Sequence, residues 1–215
     1  MSVSSRKFLF MNETLIIFTF FDYLGTLVFA ISGALAGARH RMDPVGIFVL
    51  AVSTACGGGI LRDMMIGSTP VAFLKNPVYL LLSLAATVLV FFYSRKLFKI
   101  DRIIAILDAA GLATFLIIGT AKALELGVNF LGAILLGVVT AVAGGVIRDV
   151  LSNEVPLIFR QEIYATACVA GGVVYYLFFI LGAANPLIFV ASALAVFIIR
   201  LLAIFRNWSL PTPKL

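Results

Sequence analysis

The chain has 215 residues, 62% of them hydrophobic and only 12% charged, with a formal net charge of +6. Water-soluble domains are about 45–50% apolar and about 25% charged, so a chain of this length cannot hide its apolar surface from water, and its solvent is lipid. The basic excess is no nucleic-acid footprint, because most Lys and Arg residues fall in short loops between apolar runs, where they set topology.

A helix needs about 20 apolar residues to cross about 30 Å of hydrocarbon. In chain order, seven runs predict spans over Thr14–Ala38, Val45–Ile66, Pro77–Ser94, Ile103–Ala121, Val128–Leu151, Gln161–Leu181 and Pro186–Phe205. The runs are continuous and lack the alternation of a transmembrane barrel. The expected class is therefore an all-α integral membrane protein with one membrane domain over residues 1–215. The first run follows Arg6-Lys7 and imitates a signal peptide, but it is too long for an h-region and contains Asp22, so a retained helix is expected. Cys56 and Cys168 sit inside apolar runs with the spacing of neither a metal site nor a disulfide framework, and read as small packing residues.

Seven spans put the termini on opposite sides. Arg6, Lys7, Lys75 and Lys122 share the N-terminal side, against Arg39, Arg41, Arg95, Lys96, Lys99, Arg102, Arg160, Arg206 and Lys214 on the other. The positive-inside rule puts the larger group in the cytoplasm, with the N-terminus outside and the C-terminus inside.

Sliding the chain against itself by 86 residues exposes a repeat. Asp22 falls on Asp108, Gly25 on Gly111, Phe29 on Phe115, Thr54 on Thr140, Gly58-Gly59 on Gly144-Gly145, Arg62-Asp63 on Arg148-Asp149 and Pro70 on Pro156, with no gap. Apolar residues match by chance in any membrane protein, but charged residues and prolines do not. One copy spans 14–94 and the other 103–181, leaving 186–205 as a helix outside the repeat. Three spans per copy is an odd number, so the second copy enters the membrane upside down, an arrangement that puts a working site near the midplane.

The second helix of each copy carries the most unusual residues. Glycine costs about 1 kcal/mol relative to alanine in a helix interior, and Gly57, Gly58 and Gly59 in sequence predict a bend or break, echoed at Gly144 and Gly145. Freed carbonyls at that depth need protein or water to satisfy them, which points to a hydrated cation path. Close helix packing is the competing reading, and for Gly33 and Gly37 it is preferred. An intramembrane arginine or aspartate costs about 2.5–3.5 kcal/mol or more and needs a partner or water. Asp22 is expected to meet Arg62, and Asp108 to meet Arg148, leaving Asp63 and Asp149 to attract cations; a purely structural clamp stands equally open. Ser53, Thr54 and Thr140 are expected to bond back to their own helices rather than line a pore. Lys122 and Glu125 read as a solvated loop end, with Lys122 also a candidate at a pore mouth, and His40 as topological. No nucleophile with a base, phosphate loop or metal-ligand spacing is present, so neither an enzyme nor a metal site is expected.

The pattern D..G...FAISG, then STACGGGILRD...GSTP, then its degenerate echo, resembles prokaryotic members of the trimeric intracellular cation channel family from about Asp22 to Leu202. The resemblance implies two inverted three-helix repeats plus one helix, and a homotrimer in a plasma or inner membrane with one pore per protomer. It implies kinked pore helices at Gly57–Gly59 and Gly144–Gly145, and passage of K⁺, also Na⁺, without a cofactor. The implied partners are further copies of the chain, the permeant cations, and the bilayer with any lipid it lends. Two departures, Ala143 opposite Gly57 and Asn153 opposite Gly67, imply a milder second break. A secondary transporter for a small solute such as glycine suits inverted repeats with broken helices equally; the resemblance favours the channel.

Overall fold

The computed structural model describes residues 3–93, 100–160, 163–183, 185–206 and 208, with side chains from residue 16 onward and without that of Asn185. All regular structure among them is helical: α1 (Val3–Arg39), α2 (Pro44–Met65), α3 (Ala72–Lys75), α4 (Val78–Tyr93), α5 (Ile100–Glu125), α6 (Phe130–Leu151), α7 (Leu157–Arg160), α8 (Ala165–Ile180) and α9 (Asn185–Arg206). Five helices are long and apolar enough to cross a membrane: α1 from Ile16, α2, α5, α6, and α9 from Pro186; α4 and α8 are shorter apolar helices. At about 1.5 Å per residue, the 16 residues of α4 or α8 reach about 24 Å. The sixth run starts later than its composition suggests, because Leu157–Arg160 forms a separate turn of helix ahead of it. Ser94, Gln161, the basic residues Arg95, Lys96 and Lys99, and Lys214 lie outside the described residues.

The same local devices recur at the predicted offset. Asp43 caps α2 by accepting from the Gly46 amide at 2.7 Å, and Asn129 caps α6 by accepting from Gly132 at 2.9 Å. Each thereby satisfies a donor that the helix start leaves orphaned. At the other ends, Gly67 (φ 67°) and Asn153 (φ 55°) take the same left-handed conformation. The next residue's amide then returns to the Asp63 or Asp149 carbonyl, at 2.8 Å in both copies. Asparagine is the residue after glycine that best tolerates this conformation, so Asn153 preserves the stop instead of softening it. Beyond Pro70 and Pro156 the offset drops to 85, because Val71 has no counterpart: α3 starts at Ala72 and α7 at Leu157.

The copies meet at two crossings, α1 with α5 and α2 with α6. A methyl group at Gly58 would overlap the Thr140 carbonyl of α6, and one at Gly144 would overlap the Thr54 carbonyl of α2. Each contact is the other with the copies exchanged, the signature of a two-fold relation. At the second crossing Phe29 packs on its own counterpart Phe115, centroids 5.3 Å apart, with Gly111 against Phe29 and Gly25 against Phe115. The expected opening of the helices is absent: α2 and α6 are α-helical from end to end. At Gly58 and Gly144 the room freed by the missing side chain is taken up by the opposing backbone. The seventh long run, α9, packs on α5 and α8.

Charged loop residues gather at one end. Arg39 bridges Asp101 (2.7 Å) and Glu154 (2.6 Å), and Arg160 reaches Glu154 at 2.9 Å, with His40 3.6 Å away. These contacts bring the end of α1, the start of α5 and the segment after α6 together. The Arg160 hydrogen bond, with Arg39 beside it, holds the Glu154 carboxyl below the usual carboxylate range.

Two outcomes are expected. Gly58→Ala lowers the melting temperature of the detergent-solubilised protein, overpacking costing about 1–3 kcal/mol. Its neighbour Gly59→Ala, whose added carbon meets only Arg62 Nη2 at 3.8 Å, is neutral or stabilising; equal losses at both positions would contradict the crossing. A depressed carboxyl contributes stability above its unfolded pKa of about 4.3 and loses it as pH falls through the folded value. The wild-type melting temperature therefore takes an additional drop in acid that Glu154→Gln lacks.

Candidate functional site

Each copy builds one cluster from an aspartate on its first helix, the Arg-Asp pair ending its second, and the turn of helix beyond. In the first copy, Arg62 Nε donates to Asp63 Oδ1 at 2.9 Å, and the Ala72 amide donates to Asp63 Oδ2 at 2.8 Å. In the second, Arg148 Nε donates to Asp149 Oδ1 at 2.8 Å and the Leu157 amide to Asp149 Oδ2 at 2.9 Å. The short helices α3 and α7 thus owe their position to a carboxylate that takes their orphaned N–H groups. Satisfying a buried carboxylate from two sides is what makes it tolerable away from water.

The clusters differ in state. Arg148 Nη1 donates to Asp108 Oδ1 at 2.9 Å and to Ser32 Oγ at 2.7 Å, and Asp108 and Arg148 are 0% and 1% exposed. This is the expected Asp108–Arg148 pair. The expected Asp22–Arg62 pair is not formed among the described residues: Asp22 Oδ2 accepts from the Tyr79 hydroxyl instead. The matching Arg62 nitrogen, Nη1, is buried with no hydrogen-bond partner among the described residues. Between them lies a small, partly open cleft lined by Asp22, Thr26, Cys56, Gly59, Arg62 and Tyr79 among others. In the first cluster the carboxylate and the arginine thus stand apart, with the Tyr79 hydroxyl on the carboxylate.

Each cluster also borrows from the other copy. Lys122, in the last turn of α5, donates to Asp63 Oδ1 at 2.7 Å with its side chain only 25% exposed. It is an ion-pair partner inside a helix end, not a solvated loop lysine. Its first-copy counterpart is Ala36, and the second-copy counterpart of Ser32 is Ile118, so neither donation has a mirror image.

Of the other residues singled out, Thr54 and Thr140 donate to the Leu50 and Leu136 carbonyls, both at 2.6 Å, as expected of membrane helices, while Ser53 is half-buried. Gly57 packs against Ile147, and Gly145 against Asp108 and Tyr164. Cys56 and Cys168 are free and buried. Among the described residues no group of His, Cys, Asp and Glu could hold a metal ion. Four participants escaped the sequence: Ser32, Tyr79, Tyr164 and Arg200. Arg200, fully buried in α9, was visible as an arginine within an apolar run. The tyrosines match each other only at the offset of 85, so an ungapped comparison at 86 hides them.

The clusters predict unequal costs. Arg148→Met strands the buried Asp108 and Asp149 carboxylates, at about 3–5 kcal/mol, whereas Asp108→Leu, which leaves Arg148 paired with Asp149, costs less. Asp22→Asn, at a cleft, costs clearly less than Asp108→Asn in thermal melts; equal losses would contradict the open and closed states.

Comparison with known proteins agrees with this architecture. A family model described as Glycine transporter matches twice, over residues 19–95 and 105–180, its starts 86 and its ends 85 residues apart. The UPF0126 inner membrane protein YadS of Escherichia coli (strain K12) is 44% identical over 89% of this chain and 93% of its own. The fold is similar to the TRIC trimeric intracellular cation channel orthologue from Rhodobacter sphaeroides, with a TM-score of 0.86 and 35% identity over 89% of this chain and 99% of that one. A prokaryotic TRIC channel crystallised in 0.5 M KCl gives a TM-score of 0.86 at 36% identity, over 91% of this chain and all of that one. These solved relatives are channels and not enzymes. With two arginine–aspartate clusters repeated about a glycine crossing, and relatives this similar over nearly their whole length, the chain belongs to the prokaryotic branch of the trimeric intracellular cation channel family.

Proposed function

We propose that the protein is a homotrimeric channel for monovalent cations, K⁺ and also Na⁺, in which each protomer carries its own pore along the α2–α6 crossing. The observation that carries this reading is the placement of charge: two buried acid–arginine clusters sit beside one helix crossing, and one of them opens on a cleft that Gly59 helps to line. Intramembrane charge is costly and marks ion pathways when it faces a cavity. The solved relatives named as cation channels support the same reading.

In this reading seven helices cross the bilayer, α4 and α8 among them, and the second copy is inverted. The odd number of spans per copy and the exchanged contacts at both crossings support an in-plane two-fold axis. Arg39, Arg41, Arg102, Arg160 and Arg206 face the cytoplasm, the N-terminus is outside, and Lys122 and Asp63 lie towards the outer surface. Gly57–Gly59, Gly144, Gly145, Ser53, Thr54 and Thr140 border the path, and Asp22, Asp63, Asp108 and Asp149 draw cations into it. Lys122 stands at the outer mouth. Copies of the chain, the lipid around them and K⁺ or Na⁺ are its partners, with no cofactor.

A transporter for a small solute is the second reading, favoured by one observation: of two equivalent clusters, one is open and the other closed, as alternating access requires.

Reconstitution in a planar bilayer separates the two. The expected result is discrete current steps whose reversal potential follows the K⁺ gradient; saturable uptake of labelled glycine without steps would overturn the channel. A water-soluble thiol reagent added from the Lys122 side is expected to block current through Cys56, and Cys56→Ala is expected to abolish that block.

A further inference from the structure

Arg200 stands on α9, the helix without a counterpart in the repeat. It is 0% exposed, a position where an arginine survives only with partners that offset its desolvation. Its Nη1 donates to the Ile163 carbonyl at 2.8 Å, and its guanidinium carbon lies 4.7 Å from the centroid of the Tyr164 ring, within cation–π range. Both contacts grip the chain where it enters α8.

Tyr164 is the counterpart of Tyr79, and each tyrosine hydroxyl bears on the first-helix aspartate of its own copy. Tyr79 gives its hydroxyl to Asp22, and the Asp22–Arg62 cluster stands open. Tyr164 is 1% exposed, with its hydroxyl against Gly145 beside Asp108, and Asp108 pairs directly with Arg148. Among the described residues a cation lies over the ring of Tyr164 and none over that of Tyr79, and that cation comes from α9. We propose that Arg200 is a positioning residue that locks the second cluster shut. By fixing the entry to α8 and the plane of Tyr164, it keeps Tyr164 and Asp108 packed on Gly145, and so decides which of two equivalent clusters is sealed. The helix outside the repeat is then the element that breaks its symmetry. For ion flow, the lock rests on the channel reading, on which sealing this cluster opposes conduction.

The two native cysteines report on the two clusters separately. The Cys168 amide donates to the Tyr164 carbonyl at 3.4 Å, and its side chain is 0% exposed, whereas Cys56 lines the cleft of the first cluster. In vesicles holding the full chain, a water-soluble methanethiosulfonate is expected to modify Cys56 and spare Cys168. Arg200→Met is expected to raise the rate at Cys168 about tenfold, since local opening governs exposure of a buried group, and to leave Cys56 unchanged; Arg200→Lys falls between. Should Arg200→Met not reach the membrane folded, Tyr164→Leu, which removes the held group, carries the same expectation. Continued protection of Cys168 overturns the lock, and so does an equal rise at both cysteines, which marks general loosening. Currents recorded from the same proteins separate the two proposals: the expected labelling without current in either protein sinks the channel reading and leaves the lock standing, whereas current with Cys168 still protected does the reverse.

Discussion

Two backbones touching at glycine fix the geometry of this molecule. Lipid gives helices no hydrophobic reason to associate, so association rests on close van der Waals approach and on polar contacts. At the α2–α6 crossing both sources act within a few residues. Gly58 and Gly144 admit the opposing carbonyls of Thr140 and Thr54, and one turn further along each helix an arginine is held by its neighbouring aspartate. The crossing sets where the charged clusters lie, and the clusters fix the ends of the helices that cross. The hydroxyls of Thr54 and Thr140 turn back to their own helices, so the interface is backbone against backbone, with little freedom to slide.

The broad plan was legible because it is written in residue types that lipid penalises. Asp22, Arg62-Asp63, Asp108 and Arg148-Asp149 stand out against apolar sequence, and their constant spacing reveals a repeat that the structure carries down to caps and left-handed stops. The Asp108–Arg148 pair followed from the same reasoning. Less was legible where two partners compete for one group. Nothing local in the sequence states that Asp22 takes the Tyr79 hydroxyl instead of Arg62, because the choice depends on how α4 packs. Consecutive glycines predicted a break, but glycine serves bending and close approach alike, and only the presence of an opposing backbone separates the two. Lys122 looked solvated because it lies near a helix end; Asp63 reaches it from another helix, which linear spacing cannot reveal.

The two clusters are chemically alike and energetically different. An arginine that meets two carboxylates and a hydroxyl, as Arg148 does, is expensive to separate from them. Arg62 has one carboxylate fewer and faces a cleft, so one cluster is open and the other sealed. The sealed cluster is also the one braced by α9 through Arg200 and Tyr164, the only long helix among the described residues that the repeat does not generate.

Lys122 of the second copy completes the ion pairing of the first, and Ser32 of the first receives a hydrogen bond from Arg148 of the second. Neither half of the chain, cut free of the other, would own a finished set of partners. A solitary half would hold Asp63 without its lysine or Arg148 without its serine, and two identical halves would supply at most one of the two groups. The covalent join is therefore more than a tether: with these two borrowed groups in use, the two clusters no longer interchange.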